Sequence, residues 1–391
     1  MIASVRLPRA VLAIGLGGAM LTGTLLLARA DTPFGAPLGA DRLVAAADAA
    51  SPAPADAGTA TAILHARPID GRGFRLLAAQ ADAEGDTARA DALYATAVRL
   101  APRDRAARIA LLDRAFARGD VGAGVQQFDA LLRVAPTLAT PLLRALAPHF
   151  GDPRLAAPLA RHLRAAPPWR GSLPGVLRDP AVDAQGALVL LDTLAGTAPL
   201  TPTEADTRAD LLRRLGRDAD ARAGWLARLP TAVRATSATL TDGGFEHSDL
   251  TGTYAWQQSP PPGVVLRDDP IAAAEGAHAL ALDFSGRAIT DTGLQQALAL
   301  APGRYRFAAQ SDNATDAQRP FAWQLQCAQG APLLSLPLPT TPQWQASTAT
   351  FDVPAGCTGQ RLRLAYLGRS LADRQVNGTL RVDAVRIENV R

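Results

Sequence analysis

LAAQADAEGDTARADALYATAVRLAP (Leu77–Pro102) and RDRAARIALLDRAFARGDVGAGVQQFDALLRVAP (Arg103–Pro136) fall onto each other at an offset of about 34 residues. Gly85-Asp86 lands on Gly119-Asp120, Ala90 on Gly124, Tyr94 on Phe128 and Pro102 on Pro136, and Pro68 lies one period upstream. Each marker has a physical use. A glycine turns the chain after one helix, and a small residue lets two helices approach closely. An aromatic fills the gap between neighbouring pairs. A proline ends the second helix, because it lacks an N–H and disfavours helix at the residue before it.

These markers at this period resemble the tetratricopeptide repeat. The resemblance implies an α-solenoid of antiparallel helix pairs that offers a surface to a protein partner. Upstream, residues 40–68 read as a degenerate first unit, with helices near Ala40–Ala50 and Ala57–Ala66. A weaker third unit runs through Gly151-Asp152 to Pro167-Pro168, and a further helix is expected over Ala181–Leu194. A last helix pair starts at Thr203-Glu204-Ala205-Asp206, with acids in its first turn, and places Ala221 and Trp225 as Ala90 and Tyr94 are placed. That spacing makes Trp225 an inter-repeat core residue. The helical domain is expected over residues 40–232.

At the N-terminus, Arg6 and Arg9 precede an apolar run from Ala10 to Ala28, followed by the A-x-A sequence Ala28-Arg29-Ala30 and by Asp31. Residues 1–30 read as a signal peptide or as an uncleaved inner-membrane anchor, and 31–39 as a tether. Either reading places the remainder in the periplasm or cell envelope. All 40 basic residues are arginine, and loss of the three in residues 1–30 takes the formal charge from +4 to +1. A nearly neutral remainder without a basic run argues against nucleic acid as a partner.

After Pro230 the texture becomes that of an all-β domain, expected over residues 236–391. Leu280, Leu282 and Phe284 share a face, as do Phe321, Trp323, Leu325 and Cys327, and Leu362, Leu364 and Tyr366. Leu380 and Val382 set a phase that Val385 and Ile387 reverse, which predicts a bulge near Asp383-Ala384. About ten strands are expected in an antiparallel β-sandwich of two packed sheets. Cys327 and Cys357 are the only cysteines, and in an exported chain an even pair predicts a disulfide.

This half opens with Leu240-Thr241-Asp242-Gly243-Gly244-Phe245-Glu246 and closes with Leu380-Arg381-Val382-Asp383-Ala384-Val385-Arg386-Ile387. It resembles the jelly-roll carbohydrate-binding modules of the galactose-binding-like class. The resemblance implies a polysaccharide ligand and a structural calcium held by Glu246 and Asp383, with backbone carbonyls completing the shell. Export signal, helical repeats and jelly roll together resemble bacterial envelope proteins met around exopolysaccharide synthesis and export.

Candidate sugar platforms are Trp256, Tyr254 and Trp344, which stand in loop-flanked positions. Candidate hydroxyl partners are Arg306, Gln310, Gln324, Gln326 and Arg363, which lie opposite their strands' apolar faces. A side-by-side pair of exposed rings favours glycan, whereas buried rings favour a purely structural scaffold. No catalytic constellation stands out. The five histidines lack metal-ligand spacing, and there is no C-x-x-C and no G-x-S-x-G. The Glu246, His247 and Asp249 trio reads as a polar loop. The chain is therefore expected to be no enzyme, with a glycan hydrolase as the distant alternative.

Overall fold

A computed structural model describes residues 57–270 and 273–390. The signal or anchor segment, the tether and the helix expected near Ala40–Ala50 lie outside the described residues. Two compact units make up the chain, the first ending at Leu200 and the second running from Thr201 to Arg391.

The first unit is helical. Its elements are α1 (Ala57–Ala66), α2 (Gly71–Ala83), α3 (Thr87–Leu100), α4 (Arg105–Ala117), α5 (Val121–Val134), α6 (Ala139–Leu146), α7 (Pro153–Arg164), α8 (Leu173–Leu177) and α9 (Ala184–Ala195). The α2–α3 and α4–α5 pairs carry the same local geometry. Gly85 and Gly119 both sit at positive φ, 80° and 75°, where a side chain would strain the backbone. Asp86 and Asp120 then cap the following helices, accepting the N–H groups of Arg89 (3.0 Å) and Ala123 (2.9 Å). Tyr94 and Phe128 are both buried. At Gly124 a methyl group would stand 2.9 Å from the Phe116 ring, so the small residue is what lets α5 approach α4. The first helices of the two pairs are capped alike as well, by Asp70 and Asp104. Asp129 is a further tie. Its carboxylate accepts Trp169 Nε1–H (2.9 Å) and Arg133 Nε–H (2.8 Å), and Trp169 meets Phe128 edge-on.

The second unit begins with α10 (Pro202–Arg214), α11 (Asp218–Leu226) and α12 (Thr231–Thr236) and continues as two five-stranded antiparallel sheets. A reciprocal capping box between Thr201 and Glu204 starts α10. The strands are β1 (Gln257–Gln258), β2 (Val264–Asp269), β3 (Ala279–Ala288), β4 (Leu294–Leu298), β5 (Gly303–Thr315), β6 (Phe321–Cys327), β7 (Pro332–Pro337), β8 (Gln345–Val353), β9 (Gln360–Tyr366) and β10 (Gln375–Asn389). Sheet A has the order β1-β4-β9-β6-β7 and sheet B the order β2-β3-β10-β5-β8. Trp323, Phe307, Phe321, Leu282, Leu364 and their neighbours fill the space between them. The bulge falls where the phase reversal put it, between Asp383 and Arg386, with Ala384 at φ 51°. Cys327 and Cys357 form the disulfide, with a Cα–Cα distance of 5.5 Å.

The helix pair α10–α11, expected from sequence to be the last of the repeats, belongs to the same unit as the sandwich. Trp225 is a core residue, as its spacing predicted, and its partners lie within this unit. Its ring lies 6.0 Å from that of Tyr254, and its Nε1–H donates to the Thr251 carbonyl at 3.2 Å. Arg222 satisfies the Ser237 and Ala238 carbonyls, both at 2.7 Å, and so fixes the chain where it leaves α12.

Candidate functional site

Register decides what the outer face of sheet A presents. Gln257 pairs with Gln295, Gln295 with Arg363, Arg363 with Gln324, and Gln324 with Ser335. Cross-strand partners point to the same side of a sheet. One polar row therefore crosses all five strands, and at the usual strand spacing it is about 19 Å long. Ala297, Arg361 and Gln326 lie in the next row. Gln295, Arg363 and Gln324 are half-buried, while Gln257 and Ser335 at the ends are exposed. The opposite side of these strands carries Leu294, Leu362, Leu364, Trp323 and Leu325, all buried. Alternation alone thus forces the polar set outward.

The row is ordered from within. Gln295 Nε2–H donates to Gln257 Oε1 at 3.1 Å, and Arg363 donates to Gln324 Oε1 from Nε (3.1 Å) and Nη2 (2.7 Å). Asp291 stands 3.9 Å from Arg363 Nη1. Held this way, the Gln257 and Gln324 amide nitrogens and the Gln295 amide oxygen have no partner in the protein among the described residues. They are preorganised neutral donors and acceptors. Gln296, which points inward, is by contrast consumed. Its amide accepts Thr241 N–H at 3.1 Å and donates to the Thr241 carbonyl at 2.8 Å.

The sequence candidates separate in space. Gln324 and Gln326 sit on sheet A. Arg306 is on β5 of sheet B and pairs with Glu388 at 2.7 Å, so it cannot join them. Strand phase gave the outward direction but not the sheet. Tyr254 is fully buried, and its hydroxyl donates to the Asp218 carbonyl at 2.9 Å, so it has no face to offer a sugar. Trp256 precedes β1, at one edge of sheet A. Trp344 precedes β8, the strand at the far edge of sheet B. The two rings do not form a side-by-side platform. Trp344 is half-buried. Trp256 is half-buried too, stacked on Phe245 with centroids 5.2 Å apart and tilted against Trp323 at 5.9 Å. Sequence reasoning missed Gln257 and Gln295, whose short strands showed no alternation to read.

Glu246 and Asp383 do converge, on the loop Ala274–His278. Asp383 Oδ2 accepts the N–H groups of Ala274 (2.8 Å) and Glu275 (2.9 Å), and Oδ1 accepts Ala384 N–H (2.5 Å). Glu246 Oε1 accepts the N–H groups of Ala277 (2.8 Å) and His278 (3.2 Å). Calcium needs six to eight oxygens around it. Five N–H dipoles aimed at these oxygens make a hydrogen-bonded clamp, which does not fit a calcium cage. Burial raises the Asp383 carboxyl above its ordinary range, and the backbone N–H groups pull against that. No group of three or more His, Cys, Asp or Glu residues placed to hold a metal occurs among the described residues. Nor is any helix among them long and apolar enough to cross a membrane.

No family model matches the chain. It is 33% identical over 198 residues to cellulose synthase 2 operon protein C of Komagataeibacter xylinus. That stretch is 46% of this chain and 15% of the relative, so the chain matches only a small part of the relative's length. Solved structures with similarity include a CBM61 module in complex with β-1,4-galactotriose, at 16% identity and TM-score 0.28, over 39% of this chain and 97% of that one. The CBM22-1 xylan-binding domain of Paenibacillus barcinonensis Xyn10C follows, at 11% identity and TM-score 0.26, over 35% of this chain and 86% of that one. The enzymatically active domain of bacteriophage CBA120 tailspike protein 4 is similar at 9% identity and TM-score 0.29, over 39% and 21%. Likenesses this low transfer neither ligand nor activity.

Proposed function

We propose that this chain is an exported, non-catalytic glycan-binding scaffold of the cell envelope. Its sandwich binds an extended, neutral polysaccharide across sheet A. Its helical region, of tetratricopeptide kind, docks a protein partner, in the setting of exopolysaccharide synthesis or export. The observation that carries the reading is the Gln257–Gln295–Arg363–Gln324–Ser335 row. Amides and a guanidinium held by each other match sugar hydroxyls, which both donate and accept. Their preorganisation also lowers the entropy cost of binding. The strand spacing is close to the length of one β-linked pyranose, so a chain laid across the strands meets a side chain at each sugar. Similarity to a protein named for a cellulose synthase operon supports a β-glucan as the first ligand to try.

The test is native electrophoresis of the purified protein through gels containing hydroxyethylcellulose. Retention of the wild type, lost in Arg363→Ala and in Gln324→Ala with circular dichroism unchanged, supports the reading. Unretarded migration on hydroxyethylcellulose and on soluble β-glucans of other linkage contradicts it. A purely structural role is favoured by two observations: Trp256 and Trp344 form no side-by-side exposed pair, and Trp225 is buried against Tyr254, aromatics spent on packing the helix pair to the sandwich. That reading predicts no retention at all.

A further inference from the structure

A second site lies at the edge where β1 and β2 leave the two sheets open. A cavity of about 360 Å³ is walled there by Trp256, Phe245, Leu266 and Leu280, with His247, Ser248 and Gln258 on its polar side. Its size falls at the small end of ligand pockets. Three features define its walls. Phe245 is held at φ 57°, and Asp242, also lining the cavity, at φ 51°. For a bulky aromatic that backbone is unfavourable, and such strain concentrates at ligand sites. The strained turn delivers the Phe245 ring under the Trp256 indole, 29° from parallel. Trp256 Nε1–H is spent on the Asp242 carbonyl at 2.8 Å, so the indole turns its polar edge into the protein. What it offers the cavity is hydrocarbon.

The chemistry of the rim narrows the ligand. Its charged groups are already engaged. Arg267 pairs with Asp283 at 2.6 Å and Asp269 at 3.2 Å, and Asp268 with His278 at 2.8 Å. Asp242 accepts the N–H groups of Glu246 (2.8 Å) and His247 (3.1 Å). An ionic ligand would have to break one of these pairs. A wholly apolar ligand would strip water from the His247, Ser248 and Gln258 side chains and return nothing to them. A ligand with an apolar face and neutral hydroxyls satisfies both walls. We infer that this cavity binds a neutral saccharide of one or two pyranose rings, one sugar face against Trp256 and hydroxyls toward His247, Ser248 and Gln258. The site is separate from the sheet A row and takes a chain end or short oligosaccharide. Only the choice of sugar as ligand leans on the glycan-binding reading.

The experiment titrates the full chain with cellobiose, followed by tryptophan fluorescence and by saturation-transfer NMR. Trp256 belongs to the core and is left intact. Ser248→Phe, at an exposed position, fills the mouth of the cavity, and Gln258→Ala removes one amide. The expected result is weak wild-type binding, with Kd on the order of 1 mM. Ser248→Phe should weaken it at least tenfold and Gln258→Ala severalfold, while both variants remain retarded by hydroxyethylcellulose. Arg363→Ala should give the converse pattern. Cellobiose binding that is absent from the wild type, or indifferent to Ser248→Phe, overturns the inference and leaves the sheet A reading standing. A wild type that binds cellobiose but is not retarded by hydroxyethylcellulose overturns only the sheet A reading.

Discussion

The two outer faces of the sandwich come from the same alternation and end up with opposite chemistry. Sheet B displays a ladder of full charges. Arg267 contacts Asp283 and Asp269, and Arg381 contacts Asp269 at 2.9 Å and Asp312 at 3.0 Å. Thr379 donates to Asp283 at 2.6 Å. The row across sheet A displays amides, one arginine and a serine, with hydrogen-bonding capacity left over. A face whose charges satisfy one another is finished, because a ligand must pay to open it. A face of half-satisfied neutral groups, held in place by its own bonds, is prepared for a neutral polar partner. The sheets also differ in how they are secured. Sheet B relies in part on the ladder, whereas the Cys327–Cys357 disulfide ties the end of β6 to the segment leading into β9, both in sheet A.

Removing each sheet's own device sharpens this contrast. The disulfide comes first. It closes a loop of 30 residues, for which the chain-entropy estimate is about 3–4 kcal/mol. Cys327→Ala with Cys357→Ala should lower the urea-derived stability of the sandwich by that order, and an unchanged midpoint would show that sheet A does not depend on the tie.

Next come two arginines, one from each face. Arg381→Ala removes the cation shared by Asp269 and Asp312, whose side chains are 7% and 15% exposed. The expected cost is about 2 kcal/mol, below the ~3–5 kcal/mol of a fully buried pair because Arg381 is itself partly exposed. Arg363→Ala leaves behind a neutral amide and the largely solvated Asp291 carboxylate 3.9 Å away, and unfolding should shift by no more than about 0.5 kcal/mol. Equal effects at the two positions would erase the distinction between the faces.

The smallest effect is that of pH. Burial pushes the Asp283 carboxyl up, but the Thr379 hydroxyl and the Arg267 guanidinium outweigh it and hold the group below its ordinary value. A carboxylate depressed in the folded state contributes stability above its unfolded pKa and loses it as pH falls through the folded one. The contribution of Asp283 to sheet B should therefore be lost only on acidification below about pH 4. The sheet A row contains no group that titrates near neutrality, so glycan retention should be flat from about pH 5 to pH 8. A retention curve that bends in that interval would contradict a site built of amides, a guanidinium and a hydroxyl.

Much of the architecture was legible because it rests on local rules. Gly85 and Gly119 announce turns that need positive φ, the Asp383-Ala384 phase reversal announces a bulge, and two cysteines in one half announce a bridge. What stayed hidden depends on which strand neighbours which. Arg306 and Gln324 have the same outward phase, yet the topology sends them to different sheets. Tyr254 looked loop-borne and open, but α11 covers it. Trp225 carried the spacing of a repeat residue, whereas its burial is against the segment before β1. Glu246 and Asp383 met as expected at opposite ends of the domain sequence, but the groups between them are N–H donors, and backbone polarity has no signature in side-chain identity. Gln257 and Gln295 matter only as members of a row assembled from five distant strands.

The central claim is that a glycan lies across sheet A, and its most direct test is calorimetric titration with cello-oligosaccharides of increasing length. A row about 19 Å long, crossing five strands, predicts affinity that rises with each added sugar and levels off at about four to five units. Arg363→Ala should cost about tenfold, or 1.4 kcal/mol, at the plateau. Affinity that does not grow with chain length, or that is the same in Arg363→Ala, would contradict the account.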